Sequence, residues 1–154
     1  MKRLFNSRSR PLINFQILNH TDMNFISPAE FLKAVVSGEK ILVLDVRDED
    51  FIGGNIPNAL NIPASEYDST IVSDHIKDFS TVMVHCMYSQ VRGPKIGRYI
   101  KRDYPEKDVF VLQGGFTGYL NEVLVKSTSQ ETDKVENLDM QYWRKVNGQY
   151  EYLM

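Results

Sequence analysis

Two residues in the segment His85-Cys86-Met87-Tyr88-Ser89-Gln90-Val91-Arg92-Gly93-Pro94 could do chemistry together. Cys86 is the only cysteine of the chain, and Arg92 follows six positions later. A thiolate is a nucleophile in its own right. A planar guanidinium grips two oxygens of a tetrahedral oxyanion at once. The pair closes a seven-residue loop with a nucleophile at its base, backbone amides around it and a clamp at its rim. The bland alternative is that Cys86 is a small buried hydrophobe, the usual fate of a free cysteine.

The flanking residues favour the chemical reading. Thr81-Val82-Met83-Val84 has the make-up of a buried strand, and Gly93-Pro94 opens a helix. A strand-loop-helix junction aims successive N–H groups into the loop, and the helix dipole adds to them. Anion donors are therefore expected from the amides of Met87, Tyr88, Ser89, Gln90, Val91, Arg92 and Gly93. Such donors also favour thiolate over thiol at Cys86. Neighbours on a strand point to opposite faces, so His85 is expected to turn away from the loop and bond its backbone.

Other elements must hold this loop. Ser27-Pro28-Ala29-Glu30 is a capping box with proline at the first helical position, and Phe31, Leu32, Val35 and Val36 are expected on one buried face. Ile41-Leu42-Val43-Leu44 and Val109-Phe110-Val111-Leu112 are continuous apolar runs, as in parallel strands covered on both faces. Asp45 and Arg47 stand at the carboxyl end of the first run, where open α/β sheets place ligand-facing groups. A short helix is expected over 48–52, a short strand over 60–62, and a weak helix or two over 64–78. The helix after the loop carries Ile96, Tyr99 and Ile100 inward; Lys95, Arg98, Lys101 and Arg102 form a basic face, read as a solvated one. Gly114-Gly115 is a turn into a helix with Phe116, Tyr119, Leu120 and Val123 inward. A last helix over 135–144 would dock through Leu138 and Trp143. The alternation predicts one α/β domain over 24–125, with an extension at 1–23 and a linker and helix at 126–154.

The loop resembles that of the rhodanese-fold phosphatases, which comprise the M-phase inducer (cell-division-cycle) phosphatases and the related fungal arsenate reductases. Within that group the small yeast phosphatases resemble it most. Asp45-Val46-Arg47 with Gly53-Gly54-Asn55-Ile56-Pro57-Asn58-Ala59 resembles the family's D-x-R and GGHI segments, and Gln113-Gly114-Gly115-Phe116 its late GGF turn. The resemblance covers about 27–125. It implies a three-layer α/β/α rhodanese-like domain with a small, mainly parallel sheet. It also implies a phosphoric monoester hydrolase in which Cys86 forms a phosphocysteine, Arg92 and the loop amides hold the transition state, and Asp45 orients the loop from behind. Arsenate reduction, with glutathione and glutaredoxin as the reductant, is the alternative; sulfur transfer fits less well, because sulfurtransferase loops tend to be one residue shorter. The M-phase inducers carry glutamates where Met87 and Val91 stand, and histidine where Asn55 stands. No loop acid is left to protonate a leaving group, so the leaving group must be a good or already protonated one, or the acid lies elsewhere, with Asp48, Glu49 and Asp50 as loose candidates; fewer negative charges at the loop predict tighter anion binding. Met87 and Tyr88 would make the rim apolar, as suits an aryl phosphate; packing of the loop is the even alternative.

Composition bounds the rest. The formal charge of −2 gives no general pull toward nucleic acid or acidic membranes. One cysteine excludes an internal disulfide, and a reducing, intracellular setting is expected. No run is long enough to span a bilayer, and no metal-ligand or nucleotide-binding spacing occurs, so no metal or cofactor is expected. Residues 1–20 hold Lys2, Arg3, Arg8 and Arg10 and no acid, the composition of a mitochondrial transit peptide or of a disordered extension. The expectation is a cytoplasmic or nuclear monomer, or a mitochondrial one, acting on a phosphoprotein or a small aryl phosphate.

Overall fold

The computed structural model describes residues 23–126 and 132–147. The basic stretch before residue 23, part of the expected linker and the last seven residues lie outside the described residues.

Five parallel strands form one sheet in the order β1-β5-β4-β2-β3. They are β1 (Asn24–Ile26), β2 (Ile41–Asp45), β3 (Leu60–Asn61), β4 (Thr81–His85) and β5 (Asp108–Leu112). The helices are α1 (Pro28–Val36), α2 (Ser69–Ile76), α3 (Arg92–Asp103), α4 (Gly115–Leu120), which continues as a wider π turn through Lys126, and α5 (Met140–Asn147). Side chains alternate across each strand, so the apolar runs feed two cores. Val43, Met83, Phe110 and Leu112 pack with Phe31 of α1, Phe116 and Tyr119 of α4 and Trp143 of α5. Leu42, Leu44, Val82, Val84, Val109 and Val111 pack with Val72 and Ile76 of α2 and Ile96 and Ile100 of α3. Layers of helix, sheet and helix result, as the continuous apolar runs require.

The start of α1 is the capping box read from the sequence. Ser27 Oγ accepts from the Glu30 amide at 3.1 Å, and the Glu30 carboxylate accepts from the Ser27 amide at 3.0 Å. The far end of this helix departs from expectation. Phe31 and Ala34 are buried, whereas Val35 and Val36 are exposed. The inward stripe is thus narrower than the apolar pattern suggested. Strand β1 was not expected; its three residues are too few to carry a pattern, and pairing with β5 defines it. The last helix begins at Met140 rather than at 135, after Val135 has already docked in the core.

The short helix expected over 48–52 is a bend instead. Asp50 Oδ1 accepts from the Asp48 amide at 3.0 Å, and the Ile52 carbonyl accepts from Arg47 Nη1 at 3.3 Å. Short acidic side chains that bond their own backbone compete with helix, and here Arg47 also draws the chain inward.

Candidate active site

Because every strand is parallel, all carboxyl ends lie along one edge of the sheet, where ligands of such sheets bind. Three adjacent strands contribute there: β5, β4 and β2.

From β4 comes the cysteine loop. Cys86 is 3% exposed, and its Sγ accepts hydrogen bonds from the amides of Ser89 at 3.2 Å and Gly93 at 3.3 Å. Ser89 Oγ in turn accepts from the Cys86 amide at 3.4 Å. Ser89 adopts φ +54°, a left-handed conformation that closes the loop tightly around the sulfur. Gly93 sits so close that a Cβ there would stand 3.3 Å from Ser89 Oγ and 3.6 Å from Sγ. Gln90 is exposed. Tyr88 and Val91 are 55% and 72% exposed and form an apolar rim. Met87 does not join them: its side chain is buried in the core beside Phe116, so the packing reading holds for it.

From β5 comes the support beneath the loop. The amides of Phe116 and Thr117 donate to the carbonyls of Cys86 and Met87 at 3.0 and 3.1 Å, and Thr117 Oγ1 also donates to Met87 at 3.3 Å. These carbonyls are thereby committed to the neighbouring turn. Gly115 makes this approach feasible: at φ +60°, a Cβ would stand 2.5 Å from the Met87 oxygen.

From β2 come a buried ion pair and, just beyond it, two half-buried carboxylates. Asp45 and Arg47 are both fully buried. Arg47 donates from Nε to both Asp45 oxygens at 3.1 Å and from Nη2 to Oδ2 at 2.8 Å. Its remaining donors reach the carbonyls of Ile52 and Gly54, and its plane lies 4.2 Å from the Phe116 ring centre. Asn61 closes the same corner by donating to the carbonyls of Asp45 and Arg47. His85 is fully buried and Nδ1 lies 3.1 Å from the Cys86 carbonyl. Burial depresses its pKa, only partly offset by Asp45, so the ring is neutral at neutral pH and Nδ1–H donates. Nε2 has no hydrogen-bond partner among the described residues and stands 3.6 Å from Asp45 Oδ2. Asp45 and His85 therefore meet behind the loop, and Asp45 touches its backbone only through other groups.

Arg92 is held from the bend after β2. Its Nη1 donates to Asp48 Oδ2 at 3.1 Å and to Asp50 Oδ1 at 2.8 Å; its Nη2 donates to Asp50 Oδ2 at 2.6 Å. The bond from Arg92 holds the Asp50 carboxyl below its ordinary range. For Asp48, burial acts upward but is outweighed by bonds from Ser65 and then Arg92, so that carboxyl too is lowered. The Asp50 bond likewise raises Arg92 beyond its ordinary value. Both carboxylates are ionised at neutral pH. The negative charge missing from the loop itself is thus restored at its clamp, which removes the simple basis for expecting tighter anion binding. Sequence reading missed this clip, and it missed Arg47, Asn61 and Ser89 as supports. An Asp-x-Arg at a strand end was the available signal, since positions two apart share a face.

Asn55, in the place of the family histidine, faces the last segment. Its backbone bridges Glu136 in both directions and its side-chain oxygen accepts from Asn137. Trp143 Nε1 donates to the Gly53 carbonyl at 2.7 Å, which pins α5 to the same turn.

A parallel sheet carrying a cysteine-centred anion loop at its carboxyl edge defines the class, and comparison supplies the family. The rhodanese-like domain family matches residues 27–122, and the chain belongs to it. Dual specificity phosphatase ibp1 of Schizosaccharomyces pombe is 31% identical over a match that covers 63% of this chain and 88% of that protein. A dual specificity phosphatase Cdc25 of Arabidopsis thaliana is 34% identical, covering 51% and 61%. M-phase inducer phosphatase 2 of Rattus norvegicus is 29% identical, but the match spans only 21% of its length. Among solved structures, Ygr203w, a yeast protein tyrosine phosphatase of the Rhodanese family, superposes with a TM-score of 0.63 at 20% identity, over 80% of this chain and 98% of that one. An As–Sb reductase from Leishmania major gives 0.63 at 23%, over 74% and 85%. The two structures share the fold, and the sequence relatives place the chain with cysteine-based phosphatases of the rhodanese type.

Proposed function

We propose that the chain hydrolyses phosphate monoesters, with Cys86 as nucleophile. One observation carries this reading: Sγ accepts two loop amides inside a cradle whose other end is an arginine. Amides so placed are anion donors, and the same kind of donor stabilises charge gathering on phosphate oxygens. Sγ attacks phosphorus, the S–P bond forms and the ester P–O bond breaks. The leaving oxygen departs with the electron pair. Water then attacks the phosphocysteine, releases inorganic phosphate and returns the thiolate, while the proton from water neutralises the departed oxygen.

The carboxylates at the clamp, Asp48 and Asp50, are held ionised on Arg92 and are poorly suited to act as acids. A leaving group that departs without protonation is therefore favoured. Phenolates meet that demand, and the apolar rim of Tyr88 and Val91 suits an aromatic ring. Aryl phosphates, phosphotyrosine among them, are the substrate class we infer.

Arsenate has the same shape and charge, and the chain has one cysteine, so a Cys86–arsenate adduct would need an outside thiol such as glutathione. Three assays on the purified protein separate the readings: p-nitrophenyl phosphate, arsenate with glutathione and glutaredoxin, and thiosulfate with cyanide. Phosphate release that is lost in Cys86→Ser is expected. Release that survives the substitution overturns the mechanism, and sulfur transfer without phosphate release overturns the function.

A further inference from the structure

The Asp48–Arg92–Asp50 clip is charged, built and unused by the chemistry above. We propose that Asp50, backed by Asp48, is the positioning residue of the clamp: it fixes the Arg92 guanidinium so that one edge stays committed to the oxyanion. This rests on the loop being an oxyanion site, as proposed above.

A guanidinium has two forked edges, one formed by both Nη atoms and one by Nε and Nη2. Asp50 takes the first edge with both of its oxygens, at 2.8 and 2.6 Å. Asp48 takes a further Nη1 bond at 3.1 Å. Among the described residues no hydrogen bond uses Nε, so the second fork is the one left for a ligand. An unheld arginine loses considerable rotamer freedom on gripping an anion; a held one has lost it beforehand.

The holders are themselves held. Asp48 accepts from the amide and hydroxyl of Ser65 at 3.1 and 2.7 Å. Asp50 accepts from the Asp48 amide. The bend that carries both is tied at Ile52 and Gly54 by Arg47, which is locked on Asp45. Arg92 is thus connected through a chain of hydrogen-bonded groups to the buried end of β2. A competing arrangement has the same contacts and the opposite consequence. In it, the carboxylates occupy the clamp and must be displaced by substrate, as in an autoinhibitory contact.

A double-substitution cycle on anion binding separates the two, because the direct repulsion between Asp50 and the anion enters both arms alike. Tungstate, a tetrahedral dianion, is titrated calorimetrically into wild type, Arg92→Ala, Asp50→Ala and the double variant, with thermal melts to show that each is folded. Asp50→Asn replaces Asp50→Ala should the latter not fold. Positioning predicts that Arg92→Ala costs about tenfold or more in tungstate affinity with Asp50 present, the scale of a charge-assisted bond. Without Asp50 the same substitution should cost less than about threefold, on that same scale. A cost that is unchanged or larger in the Asp50 variant overturns the proposal, as does a wild type that binds no tungstate. Phosphate release from p-nitrophenyl phosphate is measured on wild type alongside. Its absence would count against the phosphatase reading and leave the cycle to be read independently.

Discussion

The amide of Phe116 donates to the carbonyl of Cys86 at 3.0 Å, joining the turn after β5 to the residue proposed as nucleophile. The adjacent Gly115 is left-handed, and its missing side chain is what lets the two backbones approach.

Substitution of Gly115 therefore tests how the loop is held. Gly115→Ala would combine an unfavourable φ with a Cβ at 2.5 Å from one carbonyl and 2.6 Å from another. We expect a loss of about 3 kcal/mol or more in denaturant unfolding, from backbone strain and overpacking together. Gly114→Ala, also left-handed but with its nearest contact at 3.2 Å, should cost about 1 kcal/mol. Equal costs would sink the idea that the loop rests on Gly115.

Stability should fall with acid in two windows. The folded pKa of His85 is depressed, chiefly by burial, so the unfolded chain takes up the proton first as pH falls. Its contribution is complete above about pH 6.5 and declines below it, by up to about 1.4 kcal/mol per pH unit. Asp48 and Asp50 have depressed folded values, so their contribution is present above about pH 4 and is lost as pH drops through those values. Thermal melts of wild type and His85→Gln between about pH 7.5 and 5.5 examine the upper window. The variant should show a flatter decline; an identical slope would remove His85 as its source.

Trp143 is the only tryptophan, so its fluorescence reports the docking of α5. It is buried against Phe116, with ring centres 5.9 Å apart, and bonded to Gly53. A helix so integrated should leave the core only when the core itself opens. Fluorescence and far-ultraviolet circular dichroism should give one denaturant midpoint. An earlier fluorescence transition would show that α5 undocks as a separate unit.

Most of the sheet was legible in the sequence because its central strands are apolar on both sides, and such runs have few other uses. The capping box at Ser27 was legible because cap chemistry is local. The nucleophile loop was legible for a related reason: Cys86 and Arg92 are close in sequence, and strand and helix signals bracket them. What stayed hidden depends on residues distant in sequence. Asp50 lies 42 positions from the arginine it holds. Met87 reads equally as a rim or a packing residue, and only its burial in the core that holds Phe116, more than twenty positions away, decides between them. The bend at 48–52 is the exception: its causes are local, Asp50 bonding the Asp48 amide and Arg47 turned inward beneath it, yet its residues are equally compatible with a helix. Val35 and Val36 are misleading in the other direction, since their apolar character matches a face that the sheet does not cover.

The strand order β5-β4-β2 gives the cysteine loop one prop on each side. The β5 prop grips its carbonyls, and the β2 prop grips its arginine. The two props are unequally replaceable. The bend over 48–52 meets the loop through side chains, so it can be rebuilt to admit a different substrate while the sulfur keeps its amides. The turn at Gly115 meets it through bare backbone and leaves room for no such variation. Diversification of this domain, by selection or by design, has its freedom on the β2 side.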